Sequence, residues 1–75
     1  MNTFEITLSS ISEVKDFVNI VSAYPCDIDL TSGRYVVDAK SIMGIFSLDL
    51  SKPIKVDVQG EGGADLIAAL DKFKA

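Results

Sequence analysis

The sequence predicts an α+β fold in which three helices cover one face of a sheet, in the order βαββαβα. Three observations carry that prediction. Short runs alternate strictly between apolar and polar residues, which marks strands with one dry face and one wet face. Between them lie stretches whose apolar residues recur at helical spacing. A sheet wet on one side must bury its other side, and the apolar helix stripes are the surfaces available to cover it.

The first strand is Thr3–Leu8, with Phe4, Ile6 and Leu8 on the inner face and Thr3, Glu5 and Thr7 outside. Ser10 followed by Glu13 reads as a capping box that opens a helix. That helix runs from Ile11 to about Tyr24, its inner stripe formed by Ile11, Val14, Phe17, Val18 and Val21, and Pro25 ends it. Cys26–Thr31 alternates again, with Cys26, Ile28 and Leu30 inward and Asp27, Asp29 and Thr31 outward. Ser32-Gly33-Arg34 is a hairpin turn signal, and Tyr35-Val36-Val37 returns as a short strand. Three apolar residues in a row do not alternate, so the inner face of that strand is left open. Lys40–Leu48 is the second helix, capped by Ser41, and the segment from Asp49 to Pro53 terminates it. Ile54, Val56 and Val58 alternate with Lys55, Asp57 and Gln59 in the cleanest strand of the chain. Ala64–Phe73 then carries Leu66, Ile67, Leu70 and Phe73 on one helical stripe, with Asp65 near its start and Lys72 and Lys74 near its end.

Composition bounds the function. The 75 residues make one domain, 1–75, and a hydrophobic content of 48% is ample for a core but leaves no room for a deep cavity. Binding is therefore expected on a surface, and no enzyme activity is expected. The net charge of −4 and the absence of a basic run exclude direct nucleic-acid binding and suit a basic patch on a protein partner. The single cysteine, Cys26, agrees with a reducing cytoplasm and reads as a small core residue. The start has no signal pattern and no apolar run reaches membrane-spanning length, so a cytoplasmic protein off the membrane is expected. Asp27, Asp29, Asp38 and Asp57 read as solvated strand faces with no metal-ligand spacing. Gly60-Glu61-Gly62-Gly63 reads as a turn, since no Lys-Ser or Lys-Thr follows and Glu61 would repel a phosphate. Neither a metal nor a cofactor is expected.

The second helix stands apart. Ile45 and Leu48 share its core face, whereas Ile42, Met43 and Phe46 point away from it. Three large apolar side chains beside a capping serine look like a docking surface. The stretch Lys40-Ser41-Ile42-Met43-Gly44-Ile45-Phe46-Ser47-Leu48-Asp49 also resembles the regulatory-serine signature of HPr, the small phosphocarrier of the bacterial sugar phosphotransferase system. With the order of elements, the resemblance covers nearly the whole chain. It implies an open-faced β-sandwich with a four-stranded antiparallel sheet, strand order 1-4-2-3, under three helices. It also implies that Ser41 is a site for an ATP-dependent HPr kinase, with Lys40, Ile42, Met43 and Phe46 as partner contacts.

One part of the resemblance fails. HPr proteins carry phosphate on a histidine at the start of the first helix, in a Gly-x-His-Ala-Arg-Pro type motif, and this sequence contains no histidine. Ser10 falls at the histidine position and Ser12 at the arginine. A neutral imidazole attacks a phosphoryl group at pH 7, whereas a serine needs an adjacent base, which the sequence does not place there. Glu13 adds negative charge where phosphate should sit. The expected function is that of a regulatory protein–protein interaction module acting through the Ser41 helix, resembling the histidine-less HPr-like regulator of carbon catabolite repression. Its expected partners are an HPr kinase-like enzyme, phosphotransferase components or a catabolite regulator, and it is expected to be a monomer or weak homodimer. Two alternatives stay open: a residual phosphocarrier using Ser10 or Ser12, and a diverged domain that only self-associates through Met43 and Phe46.

Overall fold

A computed structural model of the chain describes residues 2–60 and 63–75. The elements are β1 (Asn2–Ile6), α1 (Ile11–Ser22), β2 (Ile28–Ser32), β3 (Tyr35–Asp38), α2 (Ile42–Phe46), β4 (Ile54–Val58) and α3 (Gly63–Ala69), followed by a 3₁₀ turn over Asp71–Phe73. The four strands form one sheet in the order β1-β4-β2-β3, and every neighbouring pair is antiparallel. The α+β architecture, the strand order and the three helices are those expected.

Register explains why one face is dry. Phe4 sits opposite Val56, Val56 opposite Leu30, and Leu30 opposite Val37, so one apolar row crosses all four strands. Ile6–Ile54 and Val58–Ile28 form parallel rows on the same face. Against them pack Val14, Phe17 and Val21 of α1, Ile45 of α2, and Leu66 and Leu70 from the C-terminal region, all fully buried. The Phe17 and Phe73 rings meet edge to face at 5.9 Å and 78°, which ties α1 to the 3₁₀ turn. The open face carries polar rows instead. In one of them Asp57, Asp29 and Asp38 stand on three adjacent strands, joined to their surroundings by Thr3 Oγ1 donating to Asp57 and Gln59 Nε2 donating to Asp29.

Several boundaries differ from the sequence expectation. β1 ends at Ile6 because β4 begins at its partner Ile54; Leu8 is still buried, but it lies beyond the ladder. β2 starts at Ile28, not Cys26, although the half-buried Cys26 does pack against the core. α1 ends at Ser22, before Tyr24. The last helix is broken: the Leu70 N–H is shared between the Leu66 and Ile67 carbonyls, and this tightening passes α3 into the 3₁₀ turn. In the β2–β3 hairpin Gly33 has φ +60° and Arg34 has a negative φ, the sign pattern of a type II′ turn. The strand face left open by sequence is resolved by register: Val37 points inward with Leu30, while Val36 lies on the open face with Thr31. Of the glycine-rich segment, Gly60 has φ +86° and acts as a turn, whereas Glu61 and Gly62 lie outside the described residues.

Candidate functional site

Two serines begin two helices, and each caps its own. Ser10 is extended, and its Oγ accepts the Glu13 N–H at 3.1 Å. Ser41 is likewise extended, and its Oγ accepts the Gly44 N–H, also at 3.1 Å. Both side chains are exposed. The similarity stops at their neighbours.

At α1 the expected capping box forms in altered shape. The Glu13 carboxylate does not return to the Ser10 N–H; it accepts from the Ser9 N–H and the Ser9 hydroxyl, each at 2.7 Å. The Ser9 hydroxyl, and next its N–H, hold the Glu13 carboxyl below its ordinary pKa. The carboxylate faces Ser9 and not Ser10, whose Oγ accepts the Glu13 N–H instead. A carboxylate stabilised as the anion is a weak base, so the pair fixes the loop and does not activate Ser9. The N-terminal end of α1 is thus already supplied with negative charge.

At α2 the first turn holds no acidic residue. Gly44 is the tight point: a Cβ there would lie 3.2 Å from Ser41 Oγ and 3.2 Å from Val37 Cβ. Glycine lets the helix approach β3 closely and keeps the capping oxygen in place. Lys40 is half-buried; its N–H is held by the Asp38 carboxylate at 2.9 Å, and its Nζ donates to the Tyr24 carbonyl at 2.8 Å. Its charge therefore sits just beyond the C-terminal end of α1.

The outward cluster is partly as expected. Met43 is 77% exposed and Phe46 41% exposed. Ile42 does not point away: it is half-buried and packs on the core, because at i and i+3 it shares the stripe of Ile45. In its place the structure supplies Ile11, which the helical stripe assigned to the core and which is 64% exposed. Ile11 occupies the first position of α1, where side chains lean toward the N-terminus, so it overhangs the edge of the core. Thr7, Leu8, Ser9, Ser10, Ile11, Phe46, Leu50 and Ser51 line an open groove of about 650 Å³. The groove brings Ser10 and Phe46 together; Ser12, Lys40, Ser41, Ile42 and Met43 do not line it. Ile11 and Leu50 were missed by sequence reasoning, and the only signal for Ile11 was its place at the very start of its helix.

Among the described residues no group of His, Cys, Asp or Glu is placed to hold a metal, and no helix is long and apolar enough to cross a membrane. The site is thus a shallow, largely apolar groove between the start of α1 and the end of α2, with the capping Ser10 on its wall, carried on a small α+β domain. The family model described as the PTS HPr component phosphorylation site matches residues 12–75, and the chain belongs to the HPr family. The crystal structure of HPr-C-His from Thermoanaerobacter tengcongensis is similar at 28% identity and a TM-score of 0.83, over 96% of this chain and 89% of that one. The phosphocarrier protein HPr from Bacillus anthracis str. Ames shares the fold, with 23% identity, a TM-score of 0.76, and coverage of 99% and 94%. Members of the family are phosphocarriers of the phosphotransferase system that interact with its other proteins, and are not themselves enzymes.

Proposed function

We propose that this chain is a regulatory member of the HPr family that has lost phosphohistidine chemistry and acts through the surface around α2. The observation that carries the reading is the contrast between the two helix starts. The chain has no histidine, and at α1 the Glu13 carboxylate, held by Ser9, puts negative charge on the loop that leads into the helix. At α2 the exposed Ser41 stands beside exposed Met43 and Phe46 with no acid in the first turn. Partners of this surface are an HPr kinase-like enzyme, phosphotransferase components or a catabolite regulator, and the setting is the bacterial cytoplasm.

The switch is phosphorylation of Ser41. Its Oγ attacks the γ-phosphorus of ATP, ADP leaves, and the hydroxyl proton passes to the kinase or solvent. The product gains a charge of about −1.5 to −2, near the backbone N–H groups of the first turn of α2, without needing α2 to unfold. Lys40 is the adjacent cation, and the new phosphate competes with the Tyr24 carbonyl for its ammonium. Met43, Phe46 and the exposed part of Ile42 provide the apolar grip, extended by Ile11 across the groove. Incubation with an HPr kinase and ATP tests this by intact mass: wild type gains one phosphoryl group and Ser41→Ala gains none. A wild-type protein with no mass gain removes the switch, and a gain that survives Ser41→Ala places it elsewhere.

A further inference from the structure

The two edges of the sheet differ. Beside β1, residues 73–75 run along Glu5–Thr7: the Thr7 N–H donates to the Phe73 carbonyl at 2.8 Å, the Ala75 N–H donates to the Glu5 carbonyl at 3.1 Å, and Ile6 bridges Lys74. β3, the opposite edge, neighbours only β2 among the described residues. It also carries two of the most exposed large apolar side chains, Tyr35 at 68% and Val36 at 63%. Sheet edges are ordinarily blunted by short length, charge, proline or a bulge; β3 is short and ends in Asp38, but its Tyr35-Val36-Val37 stretch carries neither a charge nor a proline.

The direction of the free backbone groups follows from register. The Ala39 N–H donates to the Ile28 carbonyl, toward β2. Alternate residues share that direction, so Val37 and Tyr35 also bond toward β2, as the Ser32–Tyr35 pair flanking a two-residue turn requires. The Val36 N–H and carbonyl therefore face away from the sheet.

We propose that β3 pairs antiparallel with β3 of a second copy of this chain, about a two-fold axis at Val36, to make a continuous eight-stranded sheet. The segment is self-complementary around that point. Val36 meets its own copy and exchanges two backbone hydrogen bonds with it. Tyr35 lies opposite Val37 of the copy, an aromatic against a β-branched residue, and Arg34 lies opposite Asp38; the symmetry repeats both pairs, and pairs of both kinds are favourable across strands. Sliding the register by two residues sets Arg34 against Lys40 in one direction and leaves Asp38 opposite Ser32 in the other, so one alignment is selected. Because residues 73–75 occupy part of the β1 edge, association closes at two copies and does not continue as a ribbon. The β3 edge adjoins α2 through Val37 but includes none of Ser41, Met43 and Phe46, and the inference stands whether or not Ser41 is a switch.

Pairing of strands this short buries far less than the roughly 800 Å² per partner of a stable interface, so the dimer is weak, with Kd on the order of 0.1–1 mM. Sedimentation equilibrium of the full chain from about 10 μM to about 2 mM, with the Val36 amide followed by NMR, tests it. Wild type is expected to dimerise in the upper part of that range with the Val36 amide shifting along the same curve. Val36→Lys, which sets two ammonium groups face to face, and Arg34→Glu, which faces Asp38, are each expected to raise Kd at least tenfold. Phe46→Ser is expected to dimerise like wild type. Should Val36→Lys unfold, Arg34→Glu in the turn and the Val36 amide still decide the matter. A wild type that stays monomeric, a dimer indifferent to both edge variants, or one abolished by Phe46→Ser would overturn the proposal.

Discussion

The starts of α1 and α2 use one device in different surroundings. Each begins with an extended serine whose Oγ accepts an N–H three residues on, at the same 3.1 Å. At α1 the loop before the cap is closed by a carboxylate, Glu13 on Ser9, and a second anion meets a charge already in place. At α2 the residue before the cap is also held by a carboxylate, Asp38 on the Lys40 N–H, but that acid lies outside the helix, the first turn carries none, and Gly44 packs closely against the cap and β3. A capping serine alone therefore says little about phosphorylation. What distinguishes the two sites is where the carboxylate sits, inside the first turn at α1 and ahead of the cap at α2, and the lysine that precedes Ser41.

The comparison breaks first if α2 is not held by its core face. Ile45→Ala should cost about 2–4 kcal/mol, most of the roughly 3–5 kcal/mol expected for a domain of this size, whereas Met43→Ala should stay within about 0.5 kcal/mol; urea unfolding of both checks this. Gly44→Ala is the next test. Alanine in a helix usually gains about 1 kcal/mol over glycine, but here the new methyl crowds Ser41 Oγ and Val37 Cβ, so the gain should vanish or reverse and Ser41 phosphorylation should slow.

Charge placed on the caps sharpens the contrast. Ser41→Asp should retain stability, while Ser10→Asp should lose some beside Glu13, a loss that Glu13→Gln should relieve. The pH dependence follows from the same carboxylate. Glu13 is held below its ordinary pKa by Ser9, and Asp49 is held low by the Ser51 hydroxyl and then its N–H. A depressed folded-state pKa contributes stability above the unfolded value and loses it as pH falls through the folded one. Melting temperature should thus decline below the ordinary carboxylate range, and less steeply in Glu13→Gln. The smallest effect is on the open face, where Asp57→Asn keeps an acceptor for Thr3 but removes a charge facing Asp29, and should gain a few tenths of a kcal/mol.

Much of this was legible in the chain. Alternation gave the strands because their faces are separated cleanly: Ile54, Val56 and Val58 are all buried while Lys55 is exposed. The order of the strands came from the family likeness, since periodicity cannot say which strands are neighbours. Ser41 and its apolar companions Met43 and Phe46 were legible too, but Ile42 and Ile11 exchanged roles. Helical spacing assigns a face, and it does not say where the layer beneath that face ends. Ile11 overhangs the end of that layer, and Ile42 rests on it. The Ser9–Glu13 pair was hidden for a related reason, because a capping signature names a carboxylate's neighbourhood and not the N–H it selects.

The central claim is that phosphoryl chemistry survives at α2 and is lost at α1. Intact-mass measurement after parallel incubation with ATP plus HPr kinase, and with phosphoenolpyruvate plus the general phosphotransferase enzyme, tests it most directly. One phosphoryl group from ATP, on Ser41, and none from phosphoenolpyruvate is the predicted result; label from phosphoenolpyruvate on Ser9, Ser10 or Ser12 would contradict it.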